Sequence, residues 1–126
     1  MQVVLSNSAV AALSSLSGLT SLELPGDWVK TAGAHAIACL TNLQSLKMPG
    51  AEQLTSSDLI KIVSSLHDLR TLDFSDAKKG ASDSVVTALS AANPNLEYLA
   101  LDECERITGK RIIHVMTCLS HIQAKD

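Results

Sequence analysis

Apolar residues return along the chain in a fixed three-position pattern. The motif leucine-x-x-leucine-x-leucine, in which Met or Phe can take the third place, occurs as Leu19-Leu22-Leu24, Leu43-Leu46-Met48, Leu69-Leu72-Phe74 and Leu96-Leu99-Leu101. The first positions of successive copies are 24, 26 and 27 residues apart. Each copy predicts a short strand with one buried side, and the regular interval predicts that the copies stack as structural repeats.

The segments between these strands have helical spacing. Apolar residues recur three or four positions apart at Ala36-Leu40, Leu59-Ile62-Leu66, Val86-Leu89 and Ile112-Val115-Leu119. Such spacing places one apolar stripe along each helix, which we expect to pack on the strands. The first helix is predicted at about residues 32–40.

Small polar residues mark where these helices begin. Thr55 to Asp58 has the pattern of a capping box, Ser82 or Asp83 precedes the third helix, and Thr108 precedes the fourth. Pro94 ends the third helix, because proline disfavours helical geometry at the residue before it. Each repeat therefore reads as a strand, a turn and a helix.

Parallel strands joined by crossover helices are almost always right-handed. The pattern predicts an α/β fold, a right-handed solenoid with a short parallel sheet on the concave side and helices on the convex side. We expect residues 1–126 to form a single domain, with repeats near 19–42, 43–68, 69–95 and 96–121. Partial units are expected at both ends, one at Val3 and Leu5 and one at Leu119 to Ile122, where the pattern stops before its strand is finished.

Residues between the leucines should point outward, and we call this outward surface the sheet face. Its three predicted rows are Ser21, Ser45, Thr71, Tyr98; Glu23, Lys47, Asp73, Ala100; and Pro25, Pro49, Ser75, Asp102. Neighbouring strands lie about 4.8 Å apart. Since Glu23, Lys47 and Asp73 alternate in sign, we expect them to neutralise one another.

The unit around Cys104 resembles a leucine-rich repeat of the cysteine-containing class, familiar from F-box substrate receptors. The matching residues are Pro94, Asn95, Leu96, Leu99, Leu101, Cys104, Ile107 and Thr108. Asn93 and Gly109 stand where that class has cysteine and aspartate, and earlier units have Asp27, Ala51 and Ala77 at the Cys104 position. The repeat length also resembles the ribonuclease-inhibitor class. The resemblance covers about residues 13–122.

This resemblance implies a non-catalytic module that binds another protein through the concave sheet and the strand-end loops, inside a larger complex. One alternative is a structural subunit of an assembly, held through its ends and helices, with end-to-end contact to another subunit. Another is the substrate-recognition arm of a ubiquitin ligase, although no F-box-like helical segment precedes residue 13.

Composition and charge limit the classes of partner and the cellular setting that we expect. The chain has three aromatic residues and a net charge of −3, which supplies no basic field for nucleic acid or for anionic membranes. No apolar stretch reaches the roughly 18 residues of a membrane span. Three widely spaced cysteines, Cys39, Cys104 and Cys118, argue against a disulfide framework. We therefore expect an intracellular, cytoplasmic protein.

The sequence offers little for catalysis. It contains no G-x-S-x-G, no H-E-x-x-H and no glycine-rich phosphate loop, so we expect no enzyme activity and no cofactor. His114 and Cys118 lie four residues apart with His121 nearby, but structural zinc needs four ligands, and we expect no metal. Cys104 is expected to bond to backbone in its turn as an inert thiol.

One cluster at the predicted strand ends is a candidate partner-binding site. It combines Tyr98 with the acidic residues Asp73, Asp76, Asp102, Glu103 and Glu105, which we call the acidic rim. Charged positions commonly do no more than keep a surface solvated. An aromatic ringed by charge is also the kind of anchor that interfaces favour, and its partner would be basic. Both interpretations stay open from sequence.

Overall fold

The structure, a computed structural model, describes residues 12–108 and the backbone of residues 123–125. Over these residues the strands are β1 (Ser21–Glu23), β2 (Ser45–Lys47), β3 (Thr71–Asp73), β4 (Tyr98–Ala100) and β5 (Gln123–Lys125). The α-helices are α1 (Thr31–Ala38), α2 (Ser56–Ser65) and α3 (Asp83–Ala92). Two 3₁₀ turns, η1 (Leu13–Ser15) and η2 (Gly26–Trp28), lie in the first part of the chain.

The strands form one parallel sheet in chain order, β1-β2-β3-β4-β5. Pairing places Leu22 beside Leu46, Leu46 beside Leu72, and Leu72 beside Leu99. All four side chains are at most 1% exposed. The predicted α/β class, the parallel pairing and the shared interior column of leucines are confirmed.

The core consists almost wholly of aliphatic side chains from the strands and helices. Leu24, Met48 and Phe74 form a second buried row beyond the strands, while the helices bury Ile37, Leu59, Ile62 and Leu89 against them. Helix α2 packs between α1 and α3. Because each fully buried Leu or Ile side chain contributes about 1.5–3 kcal/mol, these layers are the main source of stability.

The helix boundaries follow the predicted start signals, with two differences. Thr55 and Asp58 form the capping box, since Asp58 N–H donates to Thr55 Oγ1 at 3.3 Å and Thr55 N–H donates to Asp58 Oδ2 at 3.0 Å. Helix α1 spans Thr31–Ala38 rather than 32–40. Ser82 occupies the N-cap of α3, but its hydroxyl bonds to the hydroxyls of Ser56 and Ser84 instead of capping the helix.

After each strand the chain turns sharply toward the next helix. Three residues, each four positions after the middle leucine of its unit, have positive φ: Gly50 (84°), Asp76 (63°) and Glu103 (60°). In the first unit Gly26 approaches the neighbouring turn so closely that an added Cβ would lie 2.4 Å from the Ala51 nitrogen. The turns are therefore packed directly on one another.

Some of the predicted elements lie outside the residues that the structure describes. The predicted strand at Val3 and Leu5 and the predicted helix from Ile112 to Leu119 lie outside them. Strand β5 was not predicted, because the sequence pattern ends before it and Ala124 takes the leucine place beside Leu99. Over the described part of the chain, no helix has both the length and the apolar character needed to span a membrane.

Candidate functional site

The sheet face has the register that the sequence predicts. Tyr98 is paired with Thr71, which in turn is paired with Ser45. Tyr98 is half-buried rather than fully exposed, and the members of its row on β1 to β3 have small hydroxyl side chains. Over β1 to β4 the phenol ring is therefore the only large side chain in this row, and Gln123 is the next member of the row on β5.

The charged row beside it does not neutralise itself as expected. The register brings Lys47 between Glu23 and Asp73, yet no ion pair joins these three side chains in the region described. Asp73 instead accepts a hydrogen bond at Oδ1 from the backbone N–H of Ser75 at 2.9 Å. The expected pairing of these three charges is therefore not formed as ion pairs, and one carboxylate oxygen of Asp73 is used within its own turn. An exposed ion pair does form between Arg70 and Glu97, at 3.5 Å.

Hydrogen bonds donated by backbone N–H groups join the strand-end loops of the third and fourth units. Asp76 N–H donates to the Asp102 carbonyl at 2.7 Å, and Asp102 N–H donates to Ser75 Oγ at 3.1 Å. With the bond from Ser75 to Asp73, these contacts hold three members of the acidic rim in one connected network. Glu103 continues the same turn with its side chain exposed.

Asp102 occupies an unusual position within this network. Its side chain is half-buried, and its Oδ1 atom is shielded from solvent without a hydrogen-bond partner. A carboxylate oxygen out of water lacks part of its solvation unless a donor reaches it. The acidic rim thus contains one acceptor whose hydrogen-bonding capacity is unused.

Basic residues lie close to the acidic rim along the same loops. Lys78, Lys79 and Arg106 are exposed, and Arg106 Nη1 donates to the Lys79 carbonyl at 2.9 Å. The five carboxylates of the acidic rim, set against these three cations, leave two negative charges. The electrostatic field at the strand ends is therefore acidic but moderate.

Cys104 acts as a structural donor beneath the acidic rim. Its thiol donates to the Phe74 carbonyl at 3.3 Å and lies 3.7 Å from the Asp102 carbonyl. Burial raises the pKa of this thiol, and the charges of Asp76 and Asp102 raise it further, against a lowering by backbone hydrogen bonds. A protonated, buried thiol is a poor nucleophile. The structure thus gives Cys104 the role that was expected of it.

Asn93 is the residue that sequence reasoning missed. Its side chain is fully buried, accepts from Leu69 N–H at 3.0 Å and donates through Nδ2 to the Val63 carbonyl at 3.0 Å. Val63 lies in the last turn of α2, where carbonyls have no partner within the helix. Asn93 therefore closes one end of α2 from the next unit. The available signal was its place three residues before Leu96, where earlier units have Leu40 and Leu66.

The remaining chemistry of the described residues suits binding more than bond making. No group of three or more His, Cys, Asp and Glu side chains in this part of the chain is arranged to hold a metal ion. His114, Cys118 and His121 lie outside the described residues. What the sheet face and strand ends offer is one aromatic ring, several hydroxyl groups and carboxylates. These groups recognise a partner by contact and hydrogen bonding.

The chain was compared with protein-family models and with curated proteins. Neither a scan against protein-family models nor a search of the curated proteins finds a match.

Proposed function

We propose that the chain is a leucine-rich-repeat solenoid of the right-handed kind and serves as a non-catalytic protein-interaction module within a larger complex. The sheet face and the strand-end loops form its binding surface. The observation that carries this proposal is the position of Tyr98, which is half-buried beside a row of hydroxyl side chains and next to the acidic rim. Tyrosine is enriched in interfaces because its ring contributes a large contact area and its hydroxyl a hydrogen bond.

The charge of the surface argues for a basic partner. A Lys or Arg side chain of the partner would pair with the carboxylate of Asp102, which is half-buried and therefore partly open to solvent. Charge-assisted hydrogen bonds of this type are about twice as strong as neutral ones. The neighbouring carboxylates of Asp76 and Glu103 would add long-range attraction that speeds association.

A second candidate is a structural subunit held through its ends. Leu16 lies near the start of the described residues and is 44% exposed. Among the large hydrophobic side chains of the described residues, it is the exposed one. An apolar side chain at the end of a repeat stack is a natural contact for another subunit, because each layer is buried only against its neighbour. In this alternative the sheet face would stay free.

We also propose an intracellular, cytoplasmic setting for this function. Cys39 is an exposed free thiol and Cys104 is a buried one. Free thiols persist in compartments that keep cysteine reduced.

The test begins with affinity capture of partners by the full chain, followed by mass spectrometry and purification of the partner. Its affinity is then measured for the wild type, Tyr98→Ala and Asp102→Lys. We expect at least a tenfold loss for each, since interface anchors are worth about 2 kcal/mol or more. Asp68→Lys is the matched control for Asp102→Lys, because Asp68 is an exposed carboxylate that precedes β3, at the opposite end of the strands from Asp102.

The two candidates give opposite results. If the sheet face binds, Asp68→Lys and Leu16→Asp leave the affinity unchanged while Tyr98→Ala weakens it. If the ends bind, Leu16→Asp abolishes the complex and Tyr98→Ala does not affect it. Thermal unfolding of each variant shows that the loss of binding is not a loss of fold.

A further inference from the structure

Helix α1 exposes an imidazole and a thiol on its outer surface. His35 and Cys39 are both exposed, whereas Ala34, Ile37 and Leu40 from the same segment are buried in the core. Neither side chain makes a hydrogen bond to the described part of the protein. Both groups are therefore free to bind something from solvent.

The backbone places these two side chains on the same side of the helix. Residues four apart in an α-helix are neighbours on its surface, with Cβ atoms about 5–6 Å apart. The final step is tightened, because Cys39 N–H bonds to the Ala36 carbonyl at 3.1 Å, and Cys39 itself has helical angles of φ −82° and ψ −9°. Three steps of about 100° and one of about 120° leave the side chains about 60° apart around the axis.

Imidazole nitrogen and thiolate sulfur share a preference for particular metal ions. Zinc binds both, at about 2.0–2.1 Å from nitrogen and about 2.3 Å from sulfur. The hard cations Mg²⁺ and Ca²⁺ prefer oxygen ligands and would not select this pair. A metal ion at the last turn of α1 also lies at the negative end of the helix dipole, which favours positive charge.

The same spacing of histidine and cysteine occurs elsewhere in the chain. His114 precedes Cys118 by four residues, so two of the three cysteines have a histidine four positions earlier in the sequence. Of the two pairs, His35 and Cys39 lie in the part of the chain that the structure describes.

We propose that His35 and Cys39 form a two-ligand site for Zn²⁺ on the outer surface of α1. The imidazole binds through one ring nitrogen and the thiol binds as thiolate, releasing its proton to solvent as the metal binds. Since no third His, Cys, Asp or Glu of the described residues joins the pair, water completes the coordination. The site is thus exchangeable, unlike a closed structural zinc site.

The experiment uses the full chain with the second histidine–cysteine pair removed, as the variant His114→Gln/Cys118→Ser. Zn²⁺ is titrated into it by calorimetry under reducing conditions, in two buffers of different ionisation enthalpy to count the protons released. We expect one Zn²⁺ per chain with release of a proton. His35→Gln or Cys39→Ser, added to this background, should each weaken binding at least tenfold.

Two controls make the result specific to the pair. His67→Gln removes another exposed imidazole, whose Nδ1 lies 3.4 Å from the Ala92 carbonyl, and should leave the affinity unchanged. Co²⁺ in place of Zn²⁺ should give a sulfur-to-metal charge-transfer band that Cys39→Ser abolishes. The circular dichroism spectrum should be the same in all variants.

The proposal is overturned by any of three outcomes. These are no Zn²⁺ binding by the background variant, binding that is indifferent to both His35→Gln and Cys39→Ser, and a Co²⁺ complex without the sulfur band.

Discussion

Replacing Asn93 by alanine should destabilise the protein far more than a single polar substitution usually does. The change removes the acceptor of Leu69 N–H and the donor to the Val63 carbonyl, and both bonds are buried. Each backbone group left without a partner costs about 1–3 kcal/mol. The expected loss for the two groups is therefore about 2–6 kcal/mol, a large share of the roughly 5–15 kcal/mol that holds a typical domain together.

Urea denaturation followed by circular dichroism measures this loss. With a slope of about 2 kcal/mol/M, the midpoint should fall by about 1–3 M while the slope stays constant. Asn95→Ala is the matched control, because Asn95 is exposed, and it should change the free energy of unfolding by less than about 0.5 kcal/mol. Equal stability of the two variants would refute the reasoning that Asn93 closes α2 from the next unit.

Two further predictions concern the turns. Gly26→Ala should lower the free energy of unfolding in urea by about 3 kcal/mol or more, because its Cβ would meet backbone atoms of the neighbouring turn at 2.4–2.7 Å. Gly18→Ala, with open space around it, should lower it by less than about 1 kcal/mol. Similar losses for the two variants would show that the turns are not packed on one another. For Cys104, the raised pKa means that the folded state holds the thiol proton more tightly than the unfolded state. The urea midpoint of the wild type relative to Cys104→Ser should therefore be constant below about pH 8.5 and fall as the pH rises above it, and a difference that does not change with pH up to 10.5 would contradict the burial of this thiol.

The sheet and its register follow from the sequence for a plain physical reason. Leu22, Leu46, Leu72 and Leu99 alternate with polar residues inside each copy, and a strand can satisfy that pattern only with one face buried. Their regular recurrence then requires that the buried faces share one interior. The capping box at Thr55 and Asp58 was equally local and equally predictable.

The elements that sequence missed depend on partners far along the chain. Asn93 reads as a polar interruption of an apolar position, and only its contacts with Leu69 and Val63, 24 and 30 residues away, make it a stabilising residue. Asp73 was matched with Lys47 from strand register, but one of its carboxylate oxygens accepts from a backbone N–H two residues away. Sequence spacing predicts which residues lie near each other, but it does not predict with which of several nearby donors a side chain forms a hydrogen bond.

The candidate site was predicted in composition but not in arrangement. The sequence places the carboxylates of the acidic rim at neighbouring strand ends, because parallel strands end at the same edge, and it places Tyr98 on the sheet face at the first position of β4. The bonds that join Asp76, Asp102 and Ser75, and the shielding of Asp102 Oδ1, depend on how two turns with positive φ pack together. No local pattern specifies that packing.

Hydrogen–deuterium exchange of the chain, with and without its purified partner, tests the central claim most directly. If the sheet face and strand-end loops bind, exchange should slow in residues 71–76 and 98–105 and stay unchanged in α1, α2 and α3. Protection confined to the helices or to residues 12–19, with none at the strand ends, would contradict the account.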